Sequence, residues 1–154
     1  NMAEHVVRFE QFFAAPPEAV FAWLAEHENV GKLFPGRTRR IQDAPEGNPV
    51  NGIGSAREIR LPLMSIVETI TRFEPPSLIE YRVTRGWPIH NHVGRIRLEA
   101  DSGGTQLEYL IEFDSRLPFA GALLATSLCR YWRRGIHKAI EDISAHAPTP
   151  HPSA

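Results

Sequence analysis

The chain has 154 residues, 42% hydrophobic and 23% charged, enough for one domain with a real core. A formal net charge of −1 gives no global field favouring nucleic acid or an anionic membrane, and no basic stripe interleaved with aromatics supports single-strand nucleic-acid binding. The single cysteine, Cys129, has no internal disulfide partner and reads as a small buried hydrophobe.

Residues Val6 to Phe13 alternate with a period near two and predict a strand. Ala14 to Glu18 ends it. Pro17 and Glu18 suit the first turn of a helix, where a proline loses no needed donor and an acid meets the positive dipole end. Val20, Phe21, Trp23 and Leu24 give that helix an apolar side, and Glu26 to Phe34 reads as a second short helix stopped by Pro35-Gly36. Strands follow at Thr38–Asp43, Ile53–Leu61, Met64–Phe73, Leu78–Thr84, His92–Ala100 and Thr105–Asp114. Asp101-Ser102-Gly103-Gly104 is a strong hairpin signal. Leu117 to Ala145 is the one long segment with helical periodicity. Leu124, Leu128, Tyr131, Trp132, Gly135, Ala139, Ile140 and Ile143 fall on its apolar side, opposite Arg130, Arg133, Arg134, His137, Lys138 and Glu141. Residues 147–154 form a polar, proline-rich tail expected to be disordered, leaving one domain over 4–146. No apolar run is long enough to span a bilayer and the opening residues lack a signal-peptide core, so the expectation is a cytoplasmic protein without stable membrane insertion.

Consecutive strands joined by tight turns, with helices to cover one face, define an α+β domain. The order resembles the helix-grip fold of START-like lipid-transfer domains, the birch-pollen-allergen family and the polyketide cyclase/dehydrase-like (SRPBCC) proteins. The stretches carrying the resemblance are FFAAPPEAVFAWLAEHENVGKLFPG, Val67-Glu68 through Pro76 with Leu78 to Val83, Gly103 to Leu107, and the C-terminal helix. It implies a curved antiparallel sheet of six to seven strands wrapped around a long C-terminal helix, two short helices after the first strand, and a cavity between sheet and helix. The superfamily holds carriers, receptors, cyclases and oxygenase domains, so the fold leaves the chemistry open.

Turn positions then fix an expected register. A tight hairpin at Leu61-Pro62 pairs Ile59 with Met64, Arg57 with Ile66, Ser55 with Glu68 and Ile53 with Ile70. The next turn sets Ile70 against Tyr81 and Glu68 against Val83. The turn at Asp101 to Gly104 sets Leu98 against Leu107, Ile96 against Tyr109, Gly94 against Ile111 and His92 against Phe113. The inward face carries a polar minority: Ser55, Arg57, Glu68, Tyr81, His92 and Tyr109. Arg57 and Glu68, diagonal to each other, read either as a structural ion pair or as a device in which Arg57 orients an anionic or carbonyl-bearing ligand and Glu68 tunes it. Glu68, His92 and Tyr81 are the catalytic candidates for an aldol-type cyclisation or dehydration. The candidate ligand contacts are Arg57, Glu68, Tyr81, His92, Tyr109, Phe113, Leu128, Tyr131, Trp132 and Gly135.

His90-Asn91-His92 has metal-like spacing but no further ligand near it in sequence, and no metal or other cofactor is expected. His5, His27, His137, His146 and His151 read as surface or tail residues. The first functional expectation is therefore a monomer or homodimer binding a small lipid-like, aromatic or polyketide-like ligand. The alternatives are a cyclase or dehydratase-like enzyme, and a ligand-free interaction module working through the Trp87-Pro88 loop or the helix face.

Overall fold

The computed structural model describes residues 3–34, 36–62 and 64–146. The expected 147–154 tail, His151 and Pro35 lie outside the described residues, as does the side chain of His146. The elements run β1 (His5–Phe13), α1 (Pro17–Ala25), α2 (His27–Val30), β2 (Arg37–Gln42), β3 (Ala56–Arg60), β4 (Ser65–Glu74), β5 (Leu78–Arg85), β6 (Ile89–Asp101), β7 (Gly104–Ser115) and α3 (Ala120–His146). The seven strands form one antiparallel sheet ordered β1-β7-β6-β5-β4-β3-β2, so only β1 leaves sequence order, crossing to pair with β7. This is the helix-grip arrangement.

Local chemistry accounts for the elements. In β1 the buried Val7, Phe9 and Phe13 alternate with exposed residues. Pro17 opens α1 with Glu18 in its first turn, and Val20, Phe21, Trp23 and Leu24 are buried. In α3, Trp132, Ile136, Ala139 and Ile143 recur at spacings of three and four and enter the core, whereas Arg130, Arg133, Arg134, His137 and Lys138 face solvent. Cys129 is half-buried against the core. Tyr131, expected on the apolar side, is exposed: it precedes Trp132 by 100° of helical rotation, and that turn carries it off the core-facing stripe.

The registers agree with expectation at most points and depart at two. Ile70 meets Tyr81, Glu68 meets Val83, and Leu98, Ile96 and Gly94 meet Leu107, Tyr109 and Ile111. The β3–β4 hairpin is shifted by two residues: Ile59 pairs with Ile66 and Arg57 directly with Glu68. The Leu61 N–H bonds the Met64 carbonyl at 2.9 Å, closing a wider turn than the expected one. Ser55, not Ile53, bonds Ile70, and Ile53 is exposed. An even shift leaves each side chain on its expected face, so the inward set survives. The second departure is on β6. The ladder skips between His90 and Val93, and Asn91 sits at φ 51, so His92 lies in a bulge and the expected His92–Phe113 pair does not form.

Candidate functional site

Arg57 of β3 and Glu68 of β4 project from adjacent strands into the concave side of the sheet. They are only 2% and 8% exposed, and Arg57 Nε donates to Glu68 Oε1 at 2.7 Å. The guanidinium carbon lies 4.5 Å from the Tyr81 ring centroid, a cation–π contact. Burial is the largest influence and opposes the charge on Arg57, but its neighbours, Glu68 foremost, together outweigh it and hold the guanidinium pKa above its ordinary value.

A third partner comes from α2. Arg57 Nη1 donates to His27 Nδ1 at 3.3 Å, and His27 Nε2 lies 3.0 Å from Ser55 Oγ. An arginine can only donate, so His27 Nδ1 is the bare nitrogen and the Nε2–H donates to Ser55. Burial, with Arg57 second, pushes the His27 pKa down to about 4, so the ring is neutral at ordinary pH. His27 is 1% exposed and is thus a buried structural residue rather than a surface one. Two polar atoms on this side, Arg57 Nη2 and Thr38 Oγ1, are buried with no hydrogen-bond partner among the described residues.

Tyr81 lies flat over Gly94, whose missing side chain makes room for it: a Cβ there would overlap Tyr81 Cζ. The Tyr81 and Tyr109 hydroxyls are hydrogen-bonded to each other, and burial raises both phenol pKa values, so both are neutral. His92, turned by the bulge, accepts the Val83 N–H on Nδ1 at 3.1 Å and has its ring centroid 5.5 Å from that of Tyr81. Burial lowers its pKa, leaving a neutral ring with its proton on Nε2.

These groups edge a mostly apolar cavity of about 80 Å³ that opens to solvent. Arg57, Glu68, Tyr81, His92, Phe113 and Leu128 line it, together with Phe34 and Thr38, which sequence reasoning did not single out. The other four expected contacts are elsewhere. Trp132 stacks on Phe9 with centroids 4.4 Å apart and planes 7° from parallel, and Tyr109 meets that indole edge-on at 5.9 Å. This aromatic block fills one end of the space under α3, with Tyr109 beneath the cavity rather than on its wall. Tyr131 faces solvent. Gly135 is small for packing rather than for a ligand, since a Cβ would lie 2.6 Å from the Lys32 carbonyl oxygen and 2.8 Å from Leu33 Cα. His27 and Thr38 were missed because α2 has four residues and β2 six, too few for periodicity to reveal an inward face. Among the described residues, no three His, Cys, Asp or Glu are grouped to hold a metal ion.

The model of one family, described as polyketide cyclase/dehydrase and lipid transport, matches residues 4–148. The chain belongs to this polyketide cyclase/dehydrase and lipid-transport family. Solved structures agree on the fold. Ara h 8.0201 is 20% identical with a TM-score of 0.61, covering 92% of this chain and 99% of its own. TTHA0849 from Thermus thermophilus is 15% identical with a TM-score of 0.67, covering 93% and 100%. A START superfamily protein from Mycobacterium smegmatis is 15% identical with a TM-score of 0.66, covering 90% and 95%. No curated protein matches significantly. Membership gives the cavity a precedent, while identities this low carry no ligand across. No helix among the described residues is long and apolar enough to cross a membrane.

Proposed function

We propose that this family member binds a small, mostly apolar molecule in the cavity and fixes one oxygen acceptor of it against Arg57. The observation behind this reading is Arg57 Nη2, a buried cationic donor without a partner, on the wall of an apolar concavity. A buried donor left unpaired is costly, and a ligand carbonyl or carboxylate relieves that cost. Thr38 Oγ1 and the His92 Nε2–H offer further polar contacts. The cavity that persists beside the Phe9–Trp132 block weighs against a ligand-free interaction module. The unit is taken as a single domain over 4–146, acting in the cytoplasm as a monomer or homodimer.

The test is calorimetric titration with a panel of aromatic ketones and fatty acids. Arg57→Met/Glu68→Met, which removes both charges together, should weaken binding of any hit by about tenfold or more. Absence of binding across the panel, or a double variant that binds as tightly as the parent, would sink the reading.

A second reading follows from His92. A neutral imidazole with Nδ1 occupied is a donor, not a base, and beside Arg57 it suits polarising a ligand carbonyl in a cyclisation or dehydration. Glu68 would then be the proton acceptor. Glu68→Gln and His92→Ala should each abolish turnover of a trial poly-β-ketone. Unchanged turnover in both would end this second reading.

A further inference from the structure

The net charge of −1 conceals a segregation of charge. Residues 115–140 contain Arg116, Arg130, Arg133, Arg134 and Lys138 but no Asp or Glu, and residues 81–98 contain Arg82, Arg85, Arg95 and Arg97 but again no acid. Arg82 and Arg95 are matched by Glu80. Arg85, Arg116 and the arginines of α3 are exposed. Asp114, the nearest acid to Arg116 in the chain, accepts hydrogen bonds from the Glu4 N–H and from Asn91.

Large apolar side chains stand among these cations. Phe119, Leu123 and Trp87 are 89%, 70% and 64% exposed, and Leu117 is exposed as well. They form one rim, because the Arg116 N–H bonds the Pro88 carbonyl at 3.0 Å and the Leu123 N–H bonds the Phe119 carbonyl at 3.1 Å. Phe119 has φ 66, a left-handed conformation unfavourable for so bulky a residue, and the fold adopts it while leaving the ring in solvent. Along the solvent face of α3, Leu123, Thr126, Arg130, Arg134 and His137 succeed one another at spacings of three and four, apolar at the start and basic beyond. The rim adjoins the cavity wall, since Ile89 and Leu124 line the cavity and directly follow Pro88 and Leu123.

The geometry points to a docking surface for an anionic lipid bilayer, with Trp87, Leu117, Phe119 and Leu123 entering the boundary between headgroups and acyl chains while Arg85, Arg116 and the basic face of α3 meet lipid phosphates. Nucleic acid would match the arginines but leave the aliphatic and aromatic rim unmatched. A second copy would match the apolar rim but set like charges against each other across a two-fold contact. The docking surface stands independently of what the cavity holds.

The test uses the full chain with phosphatidylglycerol/phosphatidylcholine vesicles, and with phosphatidylcholine vesicles as control. Trp23 and Trp132 are already buried, so a blue shift of tryptophan emission on adding vesicles reports Trp87. The expected result is partition into the anionic vesicles, little into the neutral ones, and weakening as salt rises. Phe119→Ser/Leu123→Ser, on exposed positions, should reduce partition by about tenfold with an unchanged melting curve. Arg116→Gln/Arg130→Gln should reduce both the affinity and its salt dependence. No partition into anionic vesicles, equal partition into neutral ones, or an undiminished serine variant would overturn the proposal. So would binding of an RNA or DNA oligomer, or self-association lost in the serine variant, in a protein that ignores vesicles.

Discussion

Arg57 and Glu68 are direct cross-strand partners on β3 and β4, joined at 2.7 Å inside a cavity that is otherwise mostly apolar. Neither is tolerable there without the other. Removing one partner of such a pair costs about 3–5 kcal/mol, whereas replacing both with apolar groups of similar volume is close to neutral. Glu68→Ala should therefore lose about 3–5 kcal/mol in urea unfolding, and Arg57→Met/Glu68→Met should stay within about 1 kcal/mol of the parent. A large loss in the double variant would mean that the pair organises the sheet itself.

His27 ties the pair to pH. Its folded pKa is about 4, against an ordinary 6.5, so between these values the unfolded chain takes up a proton that the folded one refuses. This contribution is intact above pH 6.5 and is lost as pH falls toward 4. The loss is on the order of 2–3 kcal/mol. His92, also depressed by burial, acts in the same direction. His27→Gln keeps an acceptor for Arg57 and a donor for Ser55 but cannot titrate. Chemical denaturation at stepped pH should show a visibly shallower decline for this variant than for the parent, and parallel curves would contradict the assignment.

Gly94→Ala should displace Tyr81. The added Cβ overlaps the phenol carbon, so the ring must lift, break its hydroxyl pairing with Tyr109 and enter the cavity. Overpacking of this kind costs about 1–3 kcal/mol. A crystal structure of the variant would test the displacement, and a melting curve the cost.

Trp132→Ala removes the indole between Phe9 and Tyr109 and should cost about 3–5 kcal/mol. Because Trp132 belongs to the packed end of the space rather than the cavity wall, the affinity of any ligand measured on the folded fraction should change little. A selective loss of binding would return Trp132 to the wall.

Much of this arrangement is legible in the sequence, and the exceptions have physical causes. Period-two and period-3.6 patterns mark the elements because one face of each must be buried, which holds for Val7–Phe9 as for Ile136–Ile143. The concave face is recoverable because the error in the β3–β4 register is even. Arg57 and Glu68 stay inward under a two-residue slip and would not under a slip of one. His92 was misplaced because nothing in His90-Asn91-His92 announces the bulge that Asn91 introduces. His27 was invisible because a one-turn helix has no periodic face. Gly135 is equally compatible with ligand room and with close packing until the α2 backbone is seen against it.

The order of the sheet leaves β2 as an outer strand, paired on one side only. An unpaired strand edge is a template for recruiting another chain, and the sequence of β2, RTRRIQ, places three arginines along it. Arg39 and Arg40 are anchored locally by Glu58 and Asp43. A second molecule adding its own β2 would bring six guanidinium groups into one ladder. Crowding of that many cations disfavours such a pairing, so the composition of β2 opposes the addition of a second sheet at this edge.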